Sequence, residues 1–68
     1  MIRNYEVYSK QITQRKQVVG YVTLYHYDYG YVVKLHFLEI PGYLENKTFP
    51  TRQKAETFLN KLYNEYNY

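Results

Sequence analysis

Val18-Val-Gly-Tyr-Val-Thr-Leu-Tyr-His-Tyr-Asp-Tyr-Gly-Tyr-Val-Val-Lys-Leu-His-Phe-Leu38 is the stretch that decides the fold. Two runs of alternation flank Tyr27-Asp28-Tyr29-Gly30, which signals a β-hairpin. Val, Thr, Tyr and Phe dominate the runs, and such side chains suit a pleated, half-buried surface. Successive strand residues point to opposite faces. The first run therefore has Val18, Gly20, Val22, Leu24 and His26 on one side. Val19, Tyr21, Thr23, Tyr25 and Tyr27 lie on the other.

The turn decides which sets merge, because a slip of one residue exchanges the faces. A two-residue turn at Tyr29-Gly30 would require a positive φ at Tyr29, a poor fit for an aromatic residue. A three-residue loop over Asp28-Tyr29-Gly30 would put Lys34 and His36 beside Val22 and Leu24. A four-residue loop, Tyr27 to Gly30, is built around a type I turn and still uses Gly30 for a left-handed residue. It sets His26 opposite Tyr31, Leu24 opposite Val33, and Val22 opposite Leu35. On the other face Tyr25 meets Val32, Thr23 meets Lys34, and Tyr21 meets His36. One face is then aliphatic, with Phe37 at its edge. The second carries Tyr, Thr, Lys and His. Tyr suits a half-wet surface, since its ring is apolar and its tip polar.

Outward from the hairpin, Asn4–Ile12 alternates as a first strand, with Tyr5, Val7 and Ser9 on one side and Glu6, Tyr8 and Lys10 on the other. Thr13-Gln14-Arg15-Lys16-Gln17 is a polar connection of hairpin length. Its Arg15-Lys16 pair is the only adjacent basic pair in the chain. It reads as a solvated loop tip or as a phosphate contact. After the hairpin, Glu39 ends the third strand, and Ile40-Pro41-Gly42-Tyr43 carries Pro and Gly where a type II turn wants them. Residues 44–49 are the candidate fourth strand. Their charged centre, Glu45-Asn46-Lys47-Thr48, suits a sheet edge that avoids further pairing.

The periodicity predicts a helix over 52–66. Thr51 is its N-cap, and Lys54 stands where a full capping box would have Glu or Gln. Ala55, Phe58, Leu59, Leu62, Tyr63 and Tyr66 form one apolar stripe. The expected architecture is α+β: a three- to four-stranded antiparallel sheet with one C-terminal helix packed on one face. The helix should cover Val22, Leu24, Val33, Leu35 and Phe37, leaving the Tyr21, Tyr25, Lys34 and His36 side open. An open face bearing several aromatics is commonly a contact surface.

Sixty-eight residues make a single domain. A core this size rarely supplies more than roughly 3–5 kcal/mol. No cysteine is present to staple it, a composition that fits a cytoplasmic protein. No apolar run approaches the ~20 residues of a membrane helix, so no membrane partner is expected. Met-Ile-Arg-Asn-Tyr-Glu, at the start, lacks the apolar region of a signal peptide. The net charge of +3 is spread rather than clustered. Eleven tyrosines stand beside plentiful Asn and Lys and a single alanine. Those favoured residues have A/T-rich codons, which suits a low-GC bacterium or its phage. An aromatic recognition surface accounts for the tyrosines equally.

Catalytic and metal motifs are not found in the sequence. Ser9 is the only serine, and its spacing from the histidines and Asp28 supports no triad. His26 and His36 fall on opposite faces and cannot share a metal. His26 reads as a turn-flanking residue and His36 as a surface contact. No phosphate loop or dinucleotide motif is present. A non-enzymatic protein without cofactor is expected.

The open face makes two functional readings possible. The favoured one is a phage or mobile-element accessory that binds and inhibits a host protein, with Tyr rings giving large contact area at few torsions. The other rests on Phe49-Pro50-Thr51-Arg52-Gln53-Lys54-Ala55-Glu56-Thr57-Phe58-Leu59, following three strands. This segment resembles the final stretch of the small AP2-like arm-binding (N-terminal) domain of phage and transposon integrases, over Val18 to Tyr66. The resemblance implies a sheet set into the DNA major groove with the helix behind it. It further implies that Tyr21, Thr23, Tyr25, Lys34 and His36 face bases, and that Arg15 and Lys16 contact phosphates. The sheet here is richer in Tyr and poorer in Arg and Lys than that family's. Phosphate neutralisation needs more clustered charge than this chain has, which favours the protein partner. A homodimer burying Tyr21, Tyr25 and Leu38 is a third option.

Overall fold

The computed structural model describes residues 4–68, so the first three positions of the N-terminal reading lie outside it. Strands β1 (Tyr5–Gln14), β2 (Gln17–Tyr27), β3 (Gly30–Phe37) and β4 (Glu45–Phe49) precede helix α1 (Arg52–Tyr66). The strands form one antiparallel sheet in chain order. This is the expected α+β arrangement, with the fourth strand present and the helix at the expected bounds.

The β2–β3 register is the one the alternation requires. Tyr21 pairs with His36, Val22 with Leu35, Thr23 with Lys34, Leu24 with Val33, Tyr25 with Val32 and His26 with Tyr31. The loop is tighter than expected. Tyr27 and Gly30 also pair, so only Asp28 and Tyr29 stand outside the ladder. Gly30 has φ +143°, and a Cβ there would meet the Phe49 carbonyl oxygen at 2.5 Å. The close approach of β4, as well as the turn, demands glycine at this position.

Two bulges correct the face assignments. The β1–β2 register shifts between Glu6 and Tyr8, and again between Ile12 and Thr13. A bulge inserts one unpaired residue and so reverses the alternation beyond it. At the first shift Glu6 pairs with Tyr25 and Ser9 with Thr23. Glu6 therefore shares a face with Ser9, not with Tyr8 and Lys10. At the second, Gly20 pairs with Ile12 and Val18 with Thr13, leaving Val19 extra. Val19 packs against the core while Val18 is exposed, the reverse of the expected placing.

The β1–β2 connection is also shorter than the polar run suggested. Arg15 (φ 51°) and Lys16 (φ 69°) alone make the turn, and both are left-handed. That is the signature of a type I′ hairpin turn, a place where Asn and Gly are the usual residues. The last two residues brace it. The Arg15 amide donates to the Tyr68 carbonyl (2.9 Å), and the Tyr68 amide donates to the Thr13 carbonyl (2.9 Å). The Thr13 amide donates to Asn67 Oδ1 (2.8 Å), and Gln14 Nε2 to the Tyr66 carbonyl (2.8 Å).

The core lies between sheet and helix. Ile12, Val22, Leu24, Val33 and Leu35 are buried against Ala55, Leu59 and Leu62. Each large aliphatic side chain so buried contributes about 1.5–3 kcal/mol. Phe37, Phe49, Phe58, Tyr63 and Tyr66 close its margins. Thr51 caps the helix by accepting from the Lys54 amide (3.3 Å). Tyr8 on β1 donates to Glu56 (3.0 Å), and Lys10 donates to Asn60 (3.1 Å), so the polar flank of α1 is also anchored to the sheet.

β3 ends at Phe37, two residues before Glu39, because the chain turns there: the Ile40 amide donates to the Phe37 carbonyl (3.2 Å). The expected bend at Pro41-Gly42 follows, with Gly42 at φ +80°. The Leu44 amide then donates to the Leu35 carbonyl (2.9 Å), which returns the chain to the sheet edge as β4. This loop sends Tyr43 back over the sheet face that the helix leaves uncovered.

Candidate functional site

The helix occupies the aliphatic face, so the site is sought on the other. There Tyr21, Thr23, Tyr25, Lys34 and His36 line one shallow trough of about 490 Å³, joined by Glu6, Ser9, Gly42 and Tyr43. The cross-strand pairs Tyr21–His36 and Thr23–Lys34 hold these side chains together. Ser9 and Thr23 share a hydrogen bond across β1 and β2 at 3.0 Å. The floor of this face is dry: Thr23 is 8% exposed and Val32 only 1%.

Lys34 is the centre of the arrangement. Its ammonium lies 5.0 Å from the Tyr25 ring centroid, 5.6 Å from that of Tyr27 and 4.9 Å from that of Tyr43. Ring quadrupoles attract a cation at such distances. Interaction with the Tyr27 hydroxyl holds Lys34 above lysine's ordinary pKa of 10.5, against the opposing effect of partial burial. Partial burial pushes Tyr25 above its ordinary 10.0, with the Tyr43 phenol adding to the shift and Lys34 opposing it.

His36 fixes the loop. Its Nδ1 lies 3.1 Å from the Gly42 carbonyl, which can only accept, so Nδ1 carries the proton. The ring also meets Tyr43 edge-on at 6.0 Å. His36 thus holds Tyr43 over the trough, beside Lys34. His26, on the helix side, stacks on Tyr31 at 4.3 Å, and its Nδ1 shares a hydrogen bond with the Tyr5 hydroxyl (3.0 Å). The two histidines are on opposite faces, as expected.

Arg15 and Lys16 do not join the trough; they form the β1–β2 turn. Leu38 is likewise apart from Tyr21 and Tyr25. It is exposed and lines a second groove with Val18, Val19, Phe37, Ile40 and Tyr66. Sequence reasoning missed Glu6, Tyr27 and Tyr43 as site residues. Tyr27 was already on the correct face. Tyr43 had its signal in Pro41-Gly42, which marks a reversal without giving its direction.

Among the described residues no group of three or more His, Asp or Glu is placed to hold a metal ion. No described helix is long and apolar enough to cross a membrane. No family model, curated protein or solved structure matches the chain.

Proposed function

We propose that this chain is a small non-enzymatic binding protein that docks a partner protein in the tyrosine-lined trough. The observation that carries this reading is the convergence of Tyr25, Tyr27 and Tyr43 around Lys34 on the face opposite the helix, with Tyr21 lining the same trough. Aromatic side chains with polar tips are the residues that anchor protein interfaces. The Asn-, Lys- and Tyr-rich composition adds that the chain is a phage or mobile-element accessory acting in the cytoplasm, with inhibition of a host protein as the outcome. Electrostatics weigh against DNA. One lysine and one glutamate line the trough, and the Arg15-Lys16 pair lies at a separate turn. Groove binding draws on several phosphate contacts.

The test is capture from a lysate of the source cells. The immobilised parent protein retains a partner, and a Tyr21→Ala/Tyr25→Ala protein, shown by circular dichroism to be folded, does not. Equal retention by both, or none by the parent, overturns the reading. A salt-sensitive gel shift on duplex DNA would replace it with the DNA reading.

A further inference from the structure

Lys34 is the only lysine or arginine among the trough's lining residues. The salt bridge found among the described residues joins Arg52 to Glu56, and none joins Lys34 to a carboxylate. Glu6 lines the same trough but makes no ion pair with it. The ammonium rests instead on ring faces, which attract its charge but are no substitute for a carboxylate as hydrogen-bond acceptors. A free lysine side chain gives up many rotamers when it binds an anion. Here three tyrosines restrict those rotamers beforehand.

We infer that the trough takes a carboxylate: an aspartate or glutamate side chain of the partner protein, seated against the Lys34 ammonium between Tyr25 and Tyr43. This rests on the protein-binding reading above and names the chemistry of its partner. Charge complementarity selects the occupant. A cationic side chain is excluded because Lys34 already occupies the ring faces it would need. A nucleic-acid strand presents a row of phosphates and needs a row of cations, whereas the trough offers one, with Glu6 toward its β1 side. Lysine's ordinary pKa of 10.5 is raised further at Lys34, so the site is cationic at neutral pH. His36 contributes by pinning the loop, its Nδ1 already committed to Gly42.

Three probes test this by nuclear magnetic resonance titration: acetylated tetraglutamate, tetralysine and a single-stranded oligothymidylate. The expected result is a saturable shift of the Lys34 side-chain and Tyr25 and Tyr43 ring signals with tetraglutamate only. Lys34→Met, which keeps the apolar stem on the rings, should weaken that binding by roughly ten-fold or more, and Lys34→Arg should retain it. Unchanged Val33 and Leu35 methyl signals report an intact sheet, and Lys34→Gln serves if the methionine variant does not fold. No shift with tetraglutamate, an equal shift in the neutral variants, or stronger binding of tetralysine or oligothymidylate overturns the inference. Failure here is separable from failure of the proposed function. A captured partner retained equally by Lys34→Met removes the carboxylate and leaves the docking surface, whereas a parent protein that captures nothing removes the surface itself.

Discussion

Arg15, in the β1–β2 turn, and Tyr68, beyond the helix, are joined backbone to backbone: the Arg15 amide donates to the Tyr68 carbonyl at 2.9 Å. The bond holds a turn whose two residues are both left-handed without being Gly or Asn. Each such residue carries a conformational penalty of about 1–2 kcal/mol. Deleting Asn67 and Tyr68 should destabilise the protein by about 1–3 kcal/mol, since three inter-segment hydrogen bonds go with them. Replacing Arg15-Lys16 by Asn-Gly should stabilise it by about 1 kcal/mol or more. Urea denaturation midpoints of the two variants measure both effects. Equal midpoints would mean that the tail does not brace the turn.

Gly30→Ala should be among the most damaging single substitutions. The φ of +143° alone implies about 1–3 kcal/mol of strain, and the added methyl also meets the Phe49 carbonyl. The expected outcome is loss of β4 pairing, read as rapid amide exchange over Glu45–Phe49. Protection equal to the parent's would show that the edge strand can move aside.

Leu24→Ala removes a fully buried side chain from the middle of the sheet. Such truncations cost about 2–5 kcal/mol, comparable to the roughly 3–5 kcal/mol available to a domain this small. The variant should be largely unfolded at room temperature by circular dichroism. A cooperative melt close to the parent's would mean that the core is larger in energy than its residue count implies.

Alkaline pH should destabilise the fold. Tyr8, Tyr25 and Lys34 all have pKa values raised in the folded state: Tyr8 by burial and its hydrogen bond to Glu56, Tyr25 by burial, and Lys34 by its interaction with the Tyr27 hydroxyl. A raised pKa means that the folded chain binds the proton more tightly than the unfolded one. Its contribution is complete below the ordinary values of 10.0 for Tyr and 10.5 for Lys and is lost as pH climbs through the folded values. Phenolate absorbance should therefore show Tyr8 and Tyr25 ionising above tyrosine's ordinary 10.0, with a denaturant midpoint that falls above pH ~10. Tyr8→Phe should remove part of that dependence. A midpoint flat across this range would contradict the assigned contacts.

The register of β2 and β3 was legible because an odd-length loop would set Lys34 and His36 among the aliphatic residues, and an even loop at Tyr29-Gly30 would need a left-handed Tyr29. The helix was legible from Ala55, Leu59 and Leu62 recurring on a single face. What stayed hidden depends on distant parts of the chain. Val7 and Val19 look like ordinary alternating residues, and only pairing across the sheet shows that one extra residue has been inserted at each bulge. Arg15-Lys16 lacks the residues that announce a type I′ turn, because the Tyr68 backbone supplies what local sequence does not. The trough was half visible. Tyr21, Thr23, Tyr25, Lys34 and His36 follow from the register, whereas Tyr43 enters through a loop whose course is set by His36 and Gly42.

Strand order that follows chain order, with the helix last, has a consequence during synthesis. The ribosome releases the whole greasy side of the meander before any of its cover emerges. Tyr43 arrives well ahead of Leu59 and Leu62, so the phenolic side is complete while the valines and leucines opposite still face water. Between those two moments the nascent chain is a sticky half-sandwich, exposed to chaperones and to its own siblings.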